Sequence, residues 1–426
     1  MKSNVVSVSI WGQEICKLEW RGGYKPGFGK LGAVVSFASG YASLPWDLDP
    51  LGFYSKTNYM VREGLSDWCR ATQDEGIPRF ISGSLPDEWG NAVFSAWASR
   101  HHLGQSRISA VDKLAFIGKR GMGALEFVPE LYQASDKDTL VLEDLYAVAR
   151  QIQQEREAYS VNIQDNPAIN DLMAVGMSAG GKHPKAIVAI NWETGDIRSG
   201  QIPLPAGYKS YILKFKDADN WPTSEVEYAY YLMALKAGIE MTPCQLLDVG
   251  GEKHFLTQRF DRNAGKKIHA ATLYALCGPV SDYADVFRYC RELGLPAPQK
   301  EQLFRRMVFN FLAGVCDDHD KNTSFIMGES GMWRLAPAYD ETFTVNVRNP
   351  FIGDRHAMSI YGEERTVTQT LLMKVAEEND IKKAKGIISE VLEAVRSFPA
   401  EGIQIPAFAG KLISEHIQSK IQKLNQ

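Results

Sequence analysis

The period of the hydrophobic pattern changes along this chain, and that change restricts the available folds more than any other feature. Near the start, "VVSVSIWG", "ICKLEW" and "GAVVSFA" alternate apolar with polar residues and are interrupted by the turn-forming "RGGYKPGFG". A period of two with Gly/Pro punctuation is the mark of half-buried strands. From about residue 270 onward the recurrence lengthens. In "LFRRMVFNFLAGV", Leu303, Phe304, Met307, Val308, Phe311 and Leu312 fall on one face of a helix. A chain that begins as sheet and ends as helix is α+β in class.

Within that frame three regions are expected. A helix over "SLPDEWGNAVFSAWASRHH" and a short helix, Gly-rich turn and strand over "VDKLAFIGKRGMGALEFVPE" complete a small α+β domain spanning 1–135. A linker near 132–140 precedes an amphipathic helix in "SDKDTLVLEDLYAVARQIQQEREA". The strand candidates "PKAIVAINWETG", "YILKFKD" and "HFLTQRFDR" make 136–265 a β-rich lobe holding one helix, "SEVEYAYYLMALKAGI". There Ser224 and Glu227 fit a capping box and Gly238 fits the exit. A mainly helical lobe, 266–426, follows, and a cleft between two lobes is where chemistry is expected.

Composition narrows the function classes. The 426 residues, 45% hydrophobic and 23% charged, suit a soluble protein of two or three domains. No run approaches 18 apolar residues and "MKSNVVSVSIWGQ" lacks the parts of a signal peptide, so a cytoplasmic protein without a membrane span is expected. Cys16, Cys69, Cys244, Cys277, Cys290 and Cys316 are scattered without a CxxC pair, which argues against a disulfide framework or structural zinc. A net charge of -4 and a pI near 6.1 give no overall drive toward nucleic acid, local basic spots such as "FIGKRG" and "RNAGKK" notwithstanding.

Chemistry concentrates in a few stretches. "VCDDHDKNTSF" crowds Asp317, Asp318, His319, Asp320 and Asn322 behind an apolar run. Carboxylates about 4 Å apart repel by about 4 kcal/mol at an effective dielectric of about 20, which favours full solvation or a cation. The DxHxxN spacing lets one compact loop aim a base, Asp317, and a metal-binding amide, Asn322, at one point. Asp340 in "WRLAPAYDETFT" supplies the carboxylate that magnesium prefers. Together these are the parts of kinase phosphoryl transfer. Taken singly each has a plainer reading: an Asx turn for Asp317, a loop histidine packed on the core for His319, a helix N-cap for Asp340.

"GMSAGGKHPKAIVAIN" has Walker A spacing at Gly176, Gly181 and Lys182, but His183 replaces the required Ser or Thr and a strand follows where a helix should. Gly180 and Gly181, with Lys182, His183 and Lys185 beside them, can still cover a triphosphate, or form an ordinary surface turn. In "YILKFKD", Lys214 and Lys216 share a face by strand alternation, so one can enter a cleft or both can face water at an edge. Glu227 on the following helix is placed as a lysine-pairing acid, as in kinases.

With these motifs in order, the chain resembles the HipA serine/threonine kinases of bacterial toxin–antitoxin systems, whose catalytic half is akin to phosphoinositide-kinase-like enzymes. The resemblance rests on "MSAGGKHPKA", "YILKF", "VEYAYYLMALKAGI", "TQRFDR", "CDDHDKNTSF" and "LAPAYD", with "SLPDEWGN" and "DKLAFIGKRGMGALEFVP" in the N-terminal domain. It implies ATP and Mg2+ as cofactors and a bilobal kinase-like domain. Asp317 would be the base with His319 supporting its loop, Asn322 and Asp340 the metal ligands, and Lys214 the phosphate holder. Gly180, Gly181, Lys182, His183, Pro184 and Lys185 would cover the nucleotide, and Gln258, Arg259, Phe260 and Tyr339 would complete its site. Ser178 would be autophosphorylated, ejecting the glycine-rich loop.

Two positions depart from the family pattern. Gln258 stands where an acid is common, and Asp318 adds a carboxylate where a small residue is usual; with Asp320 it is expected to matter least in the loop. The resemblance further implies a HipB-like helix-turn-helix antitoxin, contact with DNA only through that partner, and a cellular protein substrate. The rival readings are a catalytically silent co-repressor module and a metal-dependent phosphohydrolase. The second needs more converging His and carboxylate ligands than the eight scattered histidines supply.

Overall fold

The computed structural model describes residues 3–26, 29–70, 73–100, 108–132, 140–158, 168–176, 181, 183–201, 204–217, 220–263, 265–347, 349, 351–399 and 403–424. The alternating stretches near the start form an antiparallel sheet. In it Val5–Ile10 lies between Gln13–Trp20 and Leu125–Val128, and Gly29–Phe37 pairs with Gln13–Trp20 and Ser66–Arg70. Val6, Val8 and Ile10 are fully buried while their neighbours are not, so the period of two marks one covered face. Helices Glu88–Arg100 and Ala110–Ile117 belong to this domain, the second started by a capping box between Ser109 and Asp112.

A second antiparallel sheet runs in the order Cys244–Val249, Glu252–Gln258, Lys209–Lys214, Lys185–Asn191, Asp196–Ser199. Lys185–Ile190 is buried on both faces. The helix Thr223–Lys236 covers this sheet and exits through Gly238 at φ +75°. The capping box expected at its start is absent. Pro222 occupies the N-cap with no side-chain bond, and the Glu227 carboxylate turns instead to Lys214, a charge-assisted partner that outcompetes a backbone N–H.

The third layer is helical. Ala297–Ala313 buries Leu303, Phe304, Met307, Val308, Phe311 and Leu312, as the periodicity requires, and its Phe309 is buried as well. It ends at Gly314 with φ +73°, where a Cβ would come within 2.8 Å of Val345 and His416. Only glycine turns the chain there, and the turn delivers the aspartate-rich loop. A small sheet of His269–Thr272, Ser324–Met327 and Trp333–Leu335 carries the chain out of that loop. The architecture is α+β throughout.

The N-terminal domain is fastened to the second sheet by a fully buried carboxylate. Asp261 accepts Arg259 at 2.8 and 2.7 Å and the Gly123 N–H at 2.7 Å, while Arg262 donates to the carbonyls of Gly121 and Gly123 at 2.9 Å. Burial alone would raise the Asp261 pKa; the guanidiniums of Arg259 and Arg262 reverse that and hold it at about 2. All six cysteines are unpaired, and among the described residues no helix is long and apolar enough to cross a membrane.

Candidate active site

Lys214 ends its strand, and its ammonium lies between two carboxylates, Glu227 from the helix behind and Asp340 from the far lobe. Burial disfavours the ammonium, but Asp340 and Glu227 outweigh that and raise its pKa. The same charge, with Lys185 nearby, holds Asp340 below the usual carboxylate range against its own burial. Glu227 is raised, because burial exceeds what Lys214 returns. Asp340 has φ +57°, a left-handed conformation uncommon outside glycine, stored at a position fixed by its neighbours. Lys216 does not share this site: the strand stops at Lys214, and Lys216 bonds Glu252 at 2.5 Å instead.

The loop after Gly314 is built from backbone bonds. Thr344 Oγ1 accepts the N–H groups of Cys316 and Asp317 at 2.7 and 2.9 Å. The Asn322 N–H reaches the His319 carbonyl at 2.8 Å, and Asn322 Nδ2 donates to the Asp317 carbonyl at 2.7 Å. The amide nitrogen is thereby committed to the loop, and Oδ1 is the atom left for a cation. The Asp317 side chain is 61% exposed, open to a large partner, with His319 Nε2 at 3.8 Å. His319 Nδ1 accepts the Lys321 N–H at 3.2 Å, so the histidine braces the loop.

These parts line one cleft of about 610 Å³. Gly181, Lys214, Glu227, Gln258, Arg259, Phe260, Asp317, His319, Asn322, Tyr339 and Asp340 all contribute to its wall. Arg259 offers only backbone, since its guanidinium is fully buried against Asp261. Phe260 and Tyr339 stand with ring centroids 5.8 Å apart, and the Tyr339 hydroxyl donates to the Lys321 carbonyl at 2.8 Å. His183, Pro184 and Lys185 lie behind the wall: His183 contacts Asp217 at 2.9 Å, the Pro184 carbonyl accepts the Phe215 N–H at 2.9 Å, and Lys185 is buried. Ser178, Gly180 and Lys182 fall outside the described residues.

Asp340 and Asn322 carry the oxygen donors that magnesium prefers. Among the described residues there is no cluster of three or more His, Cys, Asp or Glu ligands, but Asp340 and Asn322 both line the cleft, where phosphate oxygens could complete an oxygen shell.

Comparison with known proteins decides the family. The model of the HipA-like C-terminal domain matches residues 177–398, and that of the HipA N-terminal domain matches 54–128. The chain belongs to the HipA family. The HipA of Shewanella oneidensis MR-1, solved with HipB and its operator DNA, superposes with a TM-score of 0.62 at 16% identity over 98% of this chain and 96% of its own. The candidate kinase Y4mE of Sinorhizobium fredii is 26% identical over 302 residues, 66% of this chain and 67% of its own length. A candidate kinase of Haemophilus influenzae is 26% identical over 277 residues, 59% and 74% of the two lengths.

Against this HipA fold, two features went unread in the sequence. Asp318 does not compete with Asp317. It turns inward, 5% exposed, and accepts from Tyr283 Oη at 2.9 Å, His356 Nδ1 at 3.1 Å and the N–H groups of Ala357 and Met358 at 3.0 and 3.2 Å. Asp320 likewise accepts the Val280 N–H at 3.0 Å. The expectation that these two acids matter least in the loop is overturned for its architecture. The other feature is the N-terminal domain, whose Asp74, Glu75 and segment 82–88 form a wall of the cleft. "SLPDEW" marked a helix start, but nothing local in it points to a site across the chain.

Proposed function

We propose that this HipA-family chain is an ATP-dependent protein serine/threonine kinase, the toxin of a toxin–antitoxin pair. The observation that carries the proposal is the convergence on one cleft of Lys214, paired to Glu227 and Asp340, with Asp317 and Asn322 opposite. Lys214 holds phosphate oxygens. Gln258 to Phe260 meet the base edge, and Tyr339 packs beside Phe260. Asn322 and Asp340 would hold magnesium, which when bound offsets phosphate charge. The exposed Asp317 carboxylate accepts the proton of a substrate hydroxyl as that oxygen bonds the γ-phosphorus and the bond to the β-phosphate oxygen breaks, leaving ADP.

The exposure of Asp317 suits a protein acceptor rather than a small enclosed one. A HipB-like antitoxin is proposed as partner from the Shewanella complex, with DNA reached through it. Ser178 is the proposed autophosphorylation site: a phosphate there adds negative charge to a loop meant to lie over phosphates, which opposes closure. Calorimetric titration with magnesium–ADP tests the site. One-to-one binding that Lys214→Met weakens supports the reading, and no binding by the parent protein sinks it.

A further inference from the structure

The N-terminal domain packs against Gly181 and the start of the strand Lys185–Asn191. Trp89, fully buried, donates its backbone N–H to the Gly181 carbonyl at 3.3 Å and its indole N–H to the Lys185 carbonyl at 2.9 Å. Two residues earlier Asp87 brings Oδ2 to 3.6 Å from Lys185 Nζ. That ammonium is almost wholly buried beside Gly181, where an added Cβ would lie 3.2 Å from it. Gly181, which it touches, lines the cleft, so the ammonium stands one layer behind the cleft wall. Asp87 lines that cleft.

The Asp87–Lys185 contact is a loose one. At 3.6 Å it lies beyond a good hydrogen bond, and Asp87 Oδ2 is buried with no hydrogen-bond donor, while Oδ1 is engaged by the Gly90 N–H at 2.5 Å at the helix start. Burial accordingly raises the Asp87 pKa and lowers that of Lys185, each only partly relieved by the other. A carboxylate in this place opposes an incoming triphosphate while serving the lysine in its absence.

Building on the kinase reading, we propose that Asp87 is a positioning residue that acts as resident counter-ion to Lys185 and is set aside by nucleotide phosphate, so that the N-terminal domain holds down the nucleotide affinity of the cleft. Removing its charge leaves Lys185 less well compensated in the free protein and removes a repulsion in the complex. The two states therefore respond in opposite directions, which a merely structural contact would not produce.

The test is magnesium–ADP titration calorimetry and thermal unfolding of the full chain as wild type, Asp87→Asn and Asp87→Ser. Both variants keep an oxygen for the Gly90 N–H, so either one that folds suffices. The expected result is a lower melting temperature without nucleotide together with about tenfold tighter binding. Glu19→Gln, in the N-terminal sheet outside the cleft and paired with Arg21 at 2.8 Å, should bind as wild type does. Wild-type binding that the Asp87 variants leave unchanged or weaken overturns the inference and leaves the nucleotide site standing. Equal tightening by Glu19→Gln overturns it as well, by reducing it to general charge. Absence of binding in every protein overturns the kinase reading and the inference with it.

Discussion

Replacing Asp318 by alanine should be far more damaging than an extra acid in a polar loop would suggest. Its carboxylate is the common acceptor of Tyr283 Oη, His356 Nδ1, Ala357 N–H and Met358 N–H, between 2.9 and 3.2 Å, and it is 5% exposed. The His356 ring is stacked on Phe311 with centroids 3.9 Å apart, so it cannot swing away to find water without abandoning that contact. Each buried donor left alone costs about 1–3 kcal/mol. Partial relaxation and rehydration bring the total to about 3–5 kcal/mol, the range for breaking a buried charged network. Urea unfolding followed by tryptophan fluorescence measures this. Asp318→Asn should lose less, because its amide oxygen can still serve the two backbone N–H groups. A loss below about 1 kcal/mol for the alanine variant would refute the claim that this acid holds the 356–358 segment against the loop.

Other perturbations have outcomes of definite sign. Lys214→Met removes the cation between Glu227 and Asp340 and should weaken magnesium–ADP binding by about 10- to 100-fold, read by calorimetry. Burial pushes the Glu341 pKa from 4.5 to about 8 in spite of the Arg306 guanidinium, so the folded protein holds a proton that the unfolded chain releases between those values. Stability should therefore fall as pH rises across that window, by at most about 1.4 kcal/mol per pH unit. Glu341→Gln should flatten the fall, as seen in melting curves at pH 5 and pH 8. Lys420, 2% exposed, reaches Asp354 at 2.7 Å and the Arg365 carbonyl. Lys420→Met should cost about 3 kcal/mol in chemical unfolding by leaving Asp354 without that cation.

What could be read in the sequence was whatever depends on neighbours a few residues away. Alternation located the strands Val5–Ile10 and Lys185–Asn191, a helical stripe located Ala297–Ala313, and Gly238 marked a helix end. The DxHxxN spacing brought Asp317, His319 and Asn322 to one loop, and the structure sets all three on one wall. Contacts across the chain left no such trace. Lys214 meets Asp340 126 positions away, and nothing near either names the other. The same blindness explains the failed capping box. Ser224 and Glu227 fit the spacing, but the spacing does not reveal that a buried ammonium competes for the glutamate. Asp318 and Asp320 look alike beside Asp317 in sequence; only the positions of Tyr283, His356 and Val280 show them to be inward-facing. Asp87 is the clearest case, a helix-start residue whose second oxygen faces Lys185 in another domain.

Phosphate transfer from ATP is the direct readout of kinase activity. The purified chain, shown by intact mass to be unphosphorylated, is incubated with labelled ATP and magnesium, and the label is located by mass spectrometry. Label is expected on a serine, Ser178 first, and none on Asp317→Asn, which should bind magnesium–ADP as the parent does. Parent protein that binds the nucleotide but transfers no phosphate to itself or to any cellular protein would contradict the kinase reading.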